Sequence, residues 1–512
     1  VIKRNRFKPG YLAALCAVLL LCHRVWADDL QTNFAVPPAA ARPWVYWFWL
    51  NGNITKPGIT ADLEAMQRVG IGGVLIMEVD QGTPLGPVAF GGPKWREMFQ
   101  FVCSEAHRLG LQVNMNNDAG WCGSGGPWIT PALSMQKLVW SETTVTGPQH
   151  LETALPQPET VANYYEEVTV LAAPTPADDT YRIPDIRGKS ALDLQEFSPP
   201  PAVSPSVPVT QIIDPAKIIT LTGQYAGGKL VWNVPPGKWT ILRFGHTSTG
   251  VANHPAPQSG LGLETDKLSR AATEAQFHGL MANLTADNQP FVGQTLISTH
   301  IDSWETGSQN WTPTFRADFQ RLRGYDPLPY LPVMTGRVVG SLDLSERFLW
   351  DVRQTVSDLL VANYAGHMRE LAHQHGIHLS IEGYTAPTDE LAYAAQADEP
   401  MAEYWSSPMY SASETVPLMA SAGHTSGKNI IGAESFTADS NEKWRLSPAS
   451  VKSLGDWAFC NGINRFVIHR YAMQPFLNVK PGVSMGPWGL HYERTETWWE
   501  QSKPWHEYLA RC

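Results

Sequence analysis

Short β-branched or aromatic runs alternate with amphipathic helical stretches along this chain, and that alternation limits the fold more than any other feature. Residues 44–50 form an aromatic strand. Thr55 can cap the helix after it, with Pro57 in the first turn, and Ile59, Leu63, Met66 and Val69 make one apolar face at helical spacing. The unit repeats as a strand at 71–79, a helix over 95–109 stopped by Gly110, and a third strand at 111–115. Later come a helix over 268–283, a strand at 295–301, one long helix over 345–375 and a strand at 377–381. A weaker strand at 400–405, a helix over 416–422, a strand at 429–433, a helix over 450–460 and a strand at 464–468 follow. Eight strands alternating with helices predict an α/β fold, a closed (β/α)₈ TIM-like barrel. An open doubly wound sheet would want a glycine-rich phosphate loop after the first strand, and Asn51-Gly52-Asn53 is not one.

The alternation breaks between about 136 and 262. That stretch reads as short strands, prolines and turns, with Pro199-Pro200-Pro201 and Pro235-Pro236-Gly237 as punctuation. It predicts an inserted β-rich domain, so the barrel is expected in two parts, 28–135 and 263–485. Residues 1–27 read as a secretory signal peptide. Lys3, Arg4, Arg6 and Lys8 precede an apolar run too short to span a bilayer, and Val25-Trp26-Ala27 offers a cleavage site. A secreted or periplasmic bacterial protein is expected, with no membrane contact after cleavage. Residues 486–512 look like the start of a truncated C-terminal region, and further domains are expected beyond Cys512. The net charge of -10 argues against nucleic acid as a partner. Four of the six cysteines lie outside the signal, too few and too scattered for a disulfide framework.

The ends of barrel strands face the active site. Asn51 and Asn53 follow the first strand, and Glu78 and Asp80 the second. Asn114, Asn116, Asn117, Asp118 and Trp121 follow the third. Asp302, Trp304 and Glu305 follow the fourth, and Glu382 and Tyr384 the fifth. Glu403 lies on the sixth, Glu434 ends the seventh and His469 follows the eighth. One carboxylate after a strand is ordinarily a helix cap. Carboxylates after strands two, four, five, six and seven converge on one mouth, where they repel unless protonated, paired or metal-bound. A glycosidase needs one carboxylic acid to protonate the leaving oxygen and one carboxylate to activate water or attack carbon. Surplus carboxylates with amide carbonyls suit a hard cation such as calcium. Trp faces, from a chain with twenty tryptophans, suit sugar rings. No Gly-x-Ser-x-Gly elbow, Walker loop or His-Glu-x-x-His is read in the chain. His367 and His373 lie on different faces of one helix, which disfavours a zinc site.

The chain resembles glycoside hydrolase family 106, the calcium-dependent inverting α-L-rhamnosidases of bacteria. The resemblance runs through Trp44-Val45-Tyr46-Trp47-Phe48-Trp49-Leu50-Asn51-Gly52-Asn53 and Asn116-Asn117-Asp118-Ala119-Gly120-Trp121. It is strongest in His300-Ile301-Asp302-Ser303-Trp304-Glu305, Gly432-Ala433-Glu434-Ser435-Phe436 and His469-Arg470-Tyr471. It implies a rhamnose-containing glycan or glycoside as substrate and calcium as cofactor. By matching motif, Glu305 is expected to be the general acid and Glu434 the general base. Asn51, Asp118, Trp121, Asp302, Trp304, Glu382 and His469 are expected to bind substrate, and Glu403 the metal. The alternatives are a hydrolase of the same architecture acting on another deoxysugar or pectic linkage, and a sugar-binding barrel without catalysis.

Overall fold

The computed structural model describes residues 30–194, 202–406 and 414–512. The signal-peptide reading therefore falls outside the described residues. Eight parallel strands close a barrel: β1 (Trp44–Leu50), β2 (Gly73–Val79), β3 (Gln112–Ala119), β4 (Leu296–Ile301), β5 (His378–Glu382), β6 (Glu399–Trp405), β7 (Gly432–Thr437) and β8 (Arg465–Ala472). Each pairs with its neighbours in chain order, and β1 closes on β8. No helix among the described residues is long and apolar enough to cross a membrane.

Side chains of period two sort the barrel into two surfaces. Tyr46, Phe48, Leu75, Met77 and Met401 fill the interior. Val45, Trp47, Trp49, Val74 and Ile76 face outward into a core shared with the surrounding helices. Helix α1 (Lys56–Val69) begins at Thr55, whose side chain accepts from Gly58 N. Helix α2 (Pro93–Leu109) ends at Gly110 in the left-handed conformation that glycine adopts without a Cβ clash. Its Trp95 packs edge-on to Trp49, with ring centroids 5.6 Å apart. Parity also corrects one expectation. Glu78 lies on the outward surface of β2, where Gly52 N and Trp95 Nε1 donate to it, so it does not join the mouth.

Three further boundaries differ from the sequence reading. β3 runs through Ala119, because a barrel interior accepts the amides that would end an apolar run. β7 spans Gly432–Thr437, so Glu434 lies within the strand. The long helix is α-helical over Leu342–Leu359, takes one π-helical segment at Leu360–Gly366, and resumes over His367–Gln374.

Between β3 and β4 the chain builds a separate antiparallel sheet. Its strand Gln136–Ala154 pairs with Lys229–Ser248, which pairs in turn with Glu166–Pro174. Alternation again divides the faces. Leu171, Ala173, Leu242 and Phe244 join the barrel's outer core, and Val170, Ala172, Trp239 and Ile241 form a core of their own. The excursion is tied off at its base by an antiparallel bridge between Ser134 and Thr265.

Candidate active site

The interior wall at the C-terminal ends of β4 to β8 is acidic. Glu382 ends β5 and is fully buried. Its oxygens accept from Tyr46 Oη at 2.7 Å and Tyr384 Oη at 2.5 Å. Glu403 and Glu434 stand in register on the neighbouring strands β6 and β7, where like charges repel and a proton on one carboxyl relieves them. Tyr384 Oη also lies 3.2 Å from Glu403 Oε2. Thr437 Oγ1 donates to Glu434 Oε1. Asp302 Oδ2 lies 3.1 Å from His300 Nε2, and His300 Nδ1 lies 2.8 Å from Ser380 Oγ.

Burial, then the charges of Asp302 and Glu403, push the Glu382 carboxyl well above its ordinary pKa. Burial, then Glu403, Glu382 and Asp302, do the same to Glu434. Burial, with Asp302 and Glu305 adding to it, pushes Glu403 up to about 8. His469, on β8, has Nδ1 3.8 Å from Glu434 Oε1, and this nitrogen has no hydrogen-bond partner among the described residues. Burial and the neighbouring Arg470 hold its pKa well below the usual imidazole value, so it is neutral. Tyr46 and Phe48 pack edge-on to its ring.

The rim is different. Glu305 is exposed on the loop after β4, and its Oε2 accepts from Trp121 Nε1 at 2.7 Å. Ser303 Oγ donates to its other oxygen at 3.2 Å. Trp121 is half-buried, whereas Trp304 is 4% exposed, with its indole N–H on Gly307 O and its ring under Lys267 Nζ. Trp304 is thus packed into the wall and has no open face for a sugar. Asp118 is fully buried. It accepts from Asn116 Nδ2, and its other oxygen has no hydrogen-bond partner among the described residues. Burial, then Glu264, raises its pKa. Asn51 sits in the turn after β1 with Nδ2 on Thr83 O.

His300, Asp302 and Glu382 each offer a ligand atom within 4.8 Å of the others. With Glu403 beside them, this oxygen-rich set fits a hard cation such as calcium. At the foot of the barrel His373 and His378 flank Asp398, while His367 turns to Glu274 and Glu370. Sequence reasoning missed Tyr46, Ser380 and Thr437. Tyr46 sits inside β1 away from its end, and Thr437 lay past the expected end of β7.

Residues 35–192 and 182–512 match the model of glycoside hydrolase family 106, alpha-L-rhamnosidase. The chain belongs to this family. A curated relative from Formosa agariphila, named putative beta-glucuronidase, is 42% identical over 486 residues, which cover 94% of this chain and 41% of the relative. The solved structure of a rhamnosidase from Novosphingobium sp. PP1Y superposes with a TM-score of 0.83 at 29% identity, covering 94% of this chain and 60% of that one. The chain thus spans less than two thirds of either protein. The acidic mouth lies within the span that the family 106 model matches.

Proposed function

We propose that this glycoside hydrolase removes terminal α-L-rhamnosyl residues from glycans or glycosides with inversion, and that it acts outside the cytoplasm. The observation that carries the reading is the contrast between two carboxylates in a family 106 barrel. Glu305 is solvated at the rim and oriented by Trp121. Glu434 is held in the wall three strands away.

Glu305, protonated, gives its proton to the glycosidic oxygen as the bond to the anomeric carbon breaks. Glu434, ionised, takes a proton from the water that attacks that carbon from the opposite face. Inversion needs a carboxyl separation of roughly 6.5–9.5 Å to admit this water, and a position three strands around an eight-stranded ring favours such a gap. Neutral His469 borders Glu434 without competing for its role as base. Trp121 fixes the direction in which Glu305 presents its proton. Asp302, Glu382 and Glu403 fit the holding of calcium, which would supply the positive charge that keeps Glu434 ionised at neutral pH.

The relative's name raises β-glucuronides as a second substrate class. An acidic wall disfavours a carboxylated sugar, and a neutral deoxysugar meets no such repulsion. Aryl α-L-rhamnosides and aryl β-D-glucuronides, with and without chelator, separate the two. Proton NMR of the first-formed sugar reads the stereochemistry. Release from the glucuronide alone, or net retention, overturns the reading.

A further inference from the structure

The loops after β7 and β8 hold a second set of reactive groups, distinct from the acidic wall. Ser484 Oγ lies 3.0 Å from His491 Nε2. His491 Nδ1 lies 2.7 Å from Glu442 Oε1. Hydroxyl, imidazole and carboxylate, each joined through the appropriate ring nitrogen, form the relay that makes a serine nucleophilic. The serine stands in Gly482-Val483-Ser484-Met485-Gly486, the Gly-x-Ser-x-Gly spacing of many serine hydrolases. An elbow of this spacing, which ordinarily joins a strand to a helix, was expected to be absent, and residues 482–486 correct that expectation. The pentapeptide lies instead in the loop beyond β8, and such triads are recognised by geometry rather than chain position.

The surroundings fit the chemistry. The side chains of His491 and Glu442 are 7% and 5% exposed, while Ser484 is half-buried. Burial holds His491 below the ordinary imidazole pKa against the pull of Glu442. Glu442 is itself kept below the usual carboxylate range, because its bonds to His491 and to backbone N–H groups outweigh burial. A neutral ring donating Nδ1–H to an ionised Glu442 turns the Nε2 lone pair toward the serine. Trp444 stacks on the ring, with centroids 3.3 Å apart. Buried Arg470 donates Nη2 to Ser484 Oγ at 3.3 Å, and its Nη1 has no hydrogen-bond partner among the described residues.

The loop also abuts the glycosidase wall. Gly489 (φ +77°) lies so close to His469 that a Cβ there would come within 2.5 Å of Nδ1. Trp488 packs edge-on to Trp405 at the end of β6.

We propose that Ser484, His491 and Glu442 form a second active site, a serine esterase that removes acyl groups from hydroxyls of the carbohydrate at the barrel mouth. Ser484 Oγ attacks the ester carbonyl carbon while His491 Nε2 takes the serine proton, and the carbonyl π pair moves onto its oxygen. The bond from that carbon to the sugar oxygen then breaks, and His491 returns the proton to this oxygen. Water attacks the acyl-serine with His491 again as base, releasing the carboxylic acid and restoring Ser484. Ester and water give alcohol and acid, with no other reactant. The choice of an acylated sugar rests on the glycoside hydrolase assignment, and the esterase chemistry does not.

The full chain treated with a fluorophosphonate probe and digested is expected to carry the label on the peptide containing Ser484, near one per chain by mass spectrometry. Hydrolysis of 4-nitrophenyl acetate and of a per-O-acetylated aryl rhamnoside is expected to fall at least about 100-fold in Ser484→Ala and in His491→Ala. Labelling of the wild type decides the matter even if a variant fails to fold. Absence of label from Ser484, or ester hydrolysis unchanged in a folded Ser484→Ala, overturns the proposal. Turnover of nitrophenyl acetate without any deacetylation of the sugar overturns its substrate. None of these readouts needs cleavage of a rhamnoside, so a failed rhamnosidase reading leaves them standing.

Discussion

The wall and the rim of this barrel carry acidic groups under opposite conditions. On the wall, Glu382, Glu403 and Glu434 ride on strands, the first and last buried and Glu403 half-buried, braced by Tyr46, Tyr384 and Thr437. At the rim, Glu305 is exposed on a loop and oriented by one indole and one hydroxyl. The wall is positioned by backbone register and resists ionisation. The rim is positioned by side chains and sits in water. A general acid must exchange protons with solvent and move with its substrate. A base must stay fixed and shielded, and it needs help to keep its charge.

The largest expected effect of breaking this contrast is on the wall. Glu434→Gln should lower kcat/KM for all aryl rhamnosides alike, by about 10³-fold or more. Its melting temperature should rise, because one of several repelling buried carboxylates is gone. Equal turnover of mutant and wild type removes Glu434 from the mechanism. At the rim, Glu305→Gln should cost roughly 10²–10³-fold on substrates with poor leaving groups and far less on nitrophenyl glycosides. Its melting temperature should stay put, since an exposed side chain is replaced. A uniform loss across leaving groups would move Glu305 out of the acid's role.

Cation removal should separate the regions by pH. Glu403 has a folded pKa of about 8 against an ordinary 4.5. Between those values the folded state keeps a proton that the unfolded state has lost. In chelator, stability should therefore be greatest below about pH 4.5 and fall as pH rises through 8. Calcium should flatten the decline, and melting curves from pH 5 to 9 test it. A flat profile in chelator denies the wall its strain. The smallest effect belongs to Trp121→Phe, which keeps a ring but removes the donor to Glu305. A loss of about tenfold or less in kcat/KM is expected, of the size of one ordinary hydrogen bond at an exposed site, confined to poor leaving groups.

The barrel was legible because hydrophobic period and strand spacing survive in the sequence, and β1 was placed to the residue. Which strand-end groups face inward was not legible from a rule based on strand ends. Glu78 and Glu434 look alike in the sequence, yet one faces Trp95 outside the barrel and the other the mouth. The amides of β3 and the polar run Glu434-Ser435 hid the true ends of both strands, because a polar interior reverses the usual signal. The π-helical segment at Leu360–Gly366 leaves no trace in an apolar pattern that tolerates both registers. The Gly-x-Ser-x-Gly run at 482–486 stood in the sequence and was missed, and its partners could not be paired with it, since Glu442 and His491 are brought together by the loops after β7 and β8 with no period at all.

The bridge between Ser134 and Thr265 bears on how this barrel is assembled. Thr299 of β4 must find Met115 of β3 across 184 residues of chain, one of the slowest searches a parallel pairing can demand. The hairpin of Gln136–Ala154 with Lys229–Ser248 is local by comparison and brings its own ends together. Once it has formed, about 70 residues of free chain remain to be closed, which lowers the loop-closure cost by about 1 kcal/mol. The inserted sheet thus acts as an internal clamp, folding early and delivering the second half of the barrel to the first.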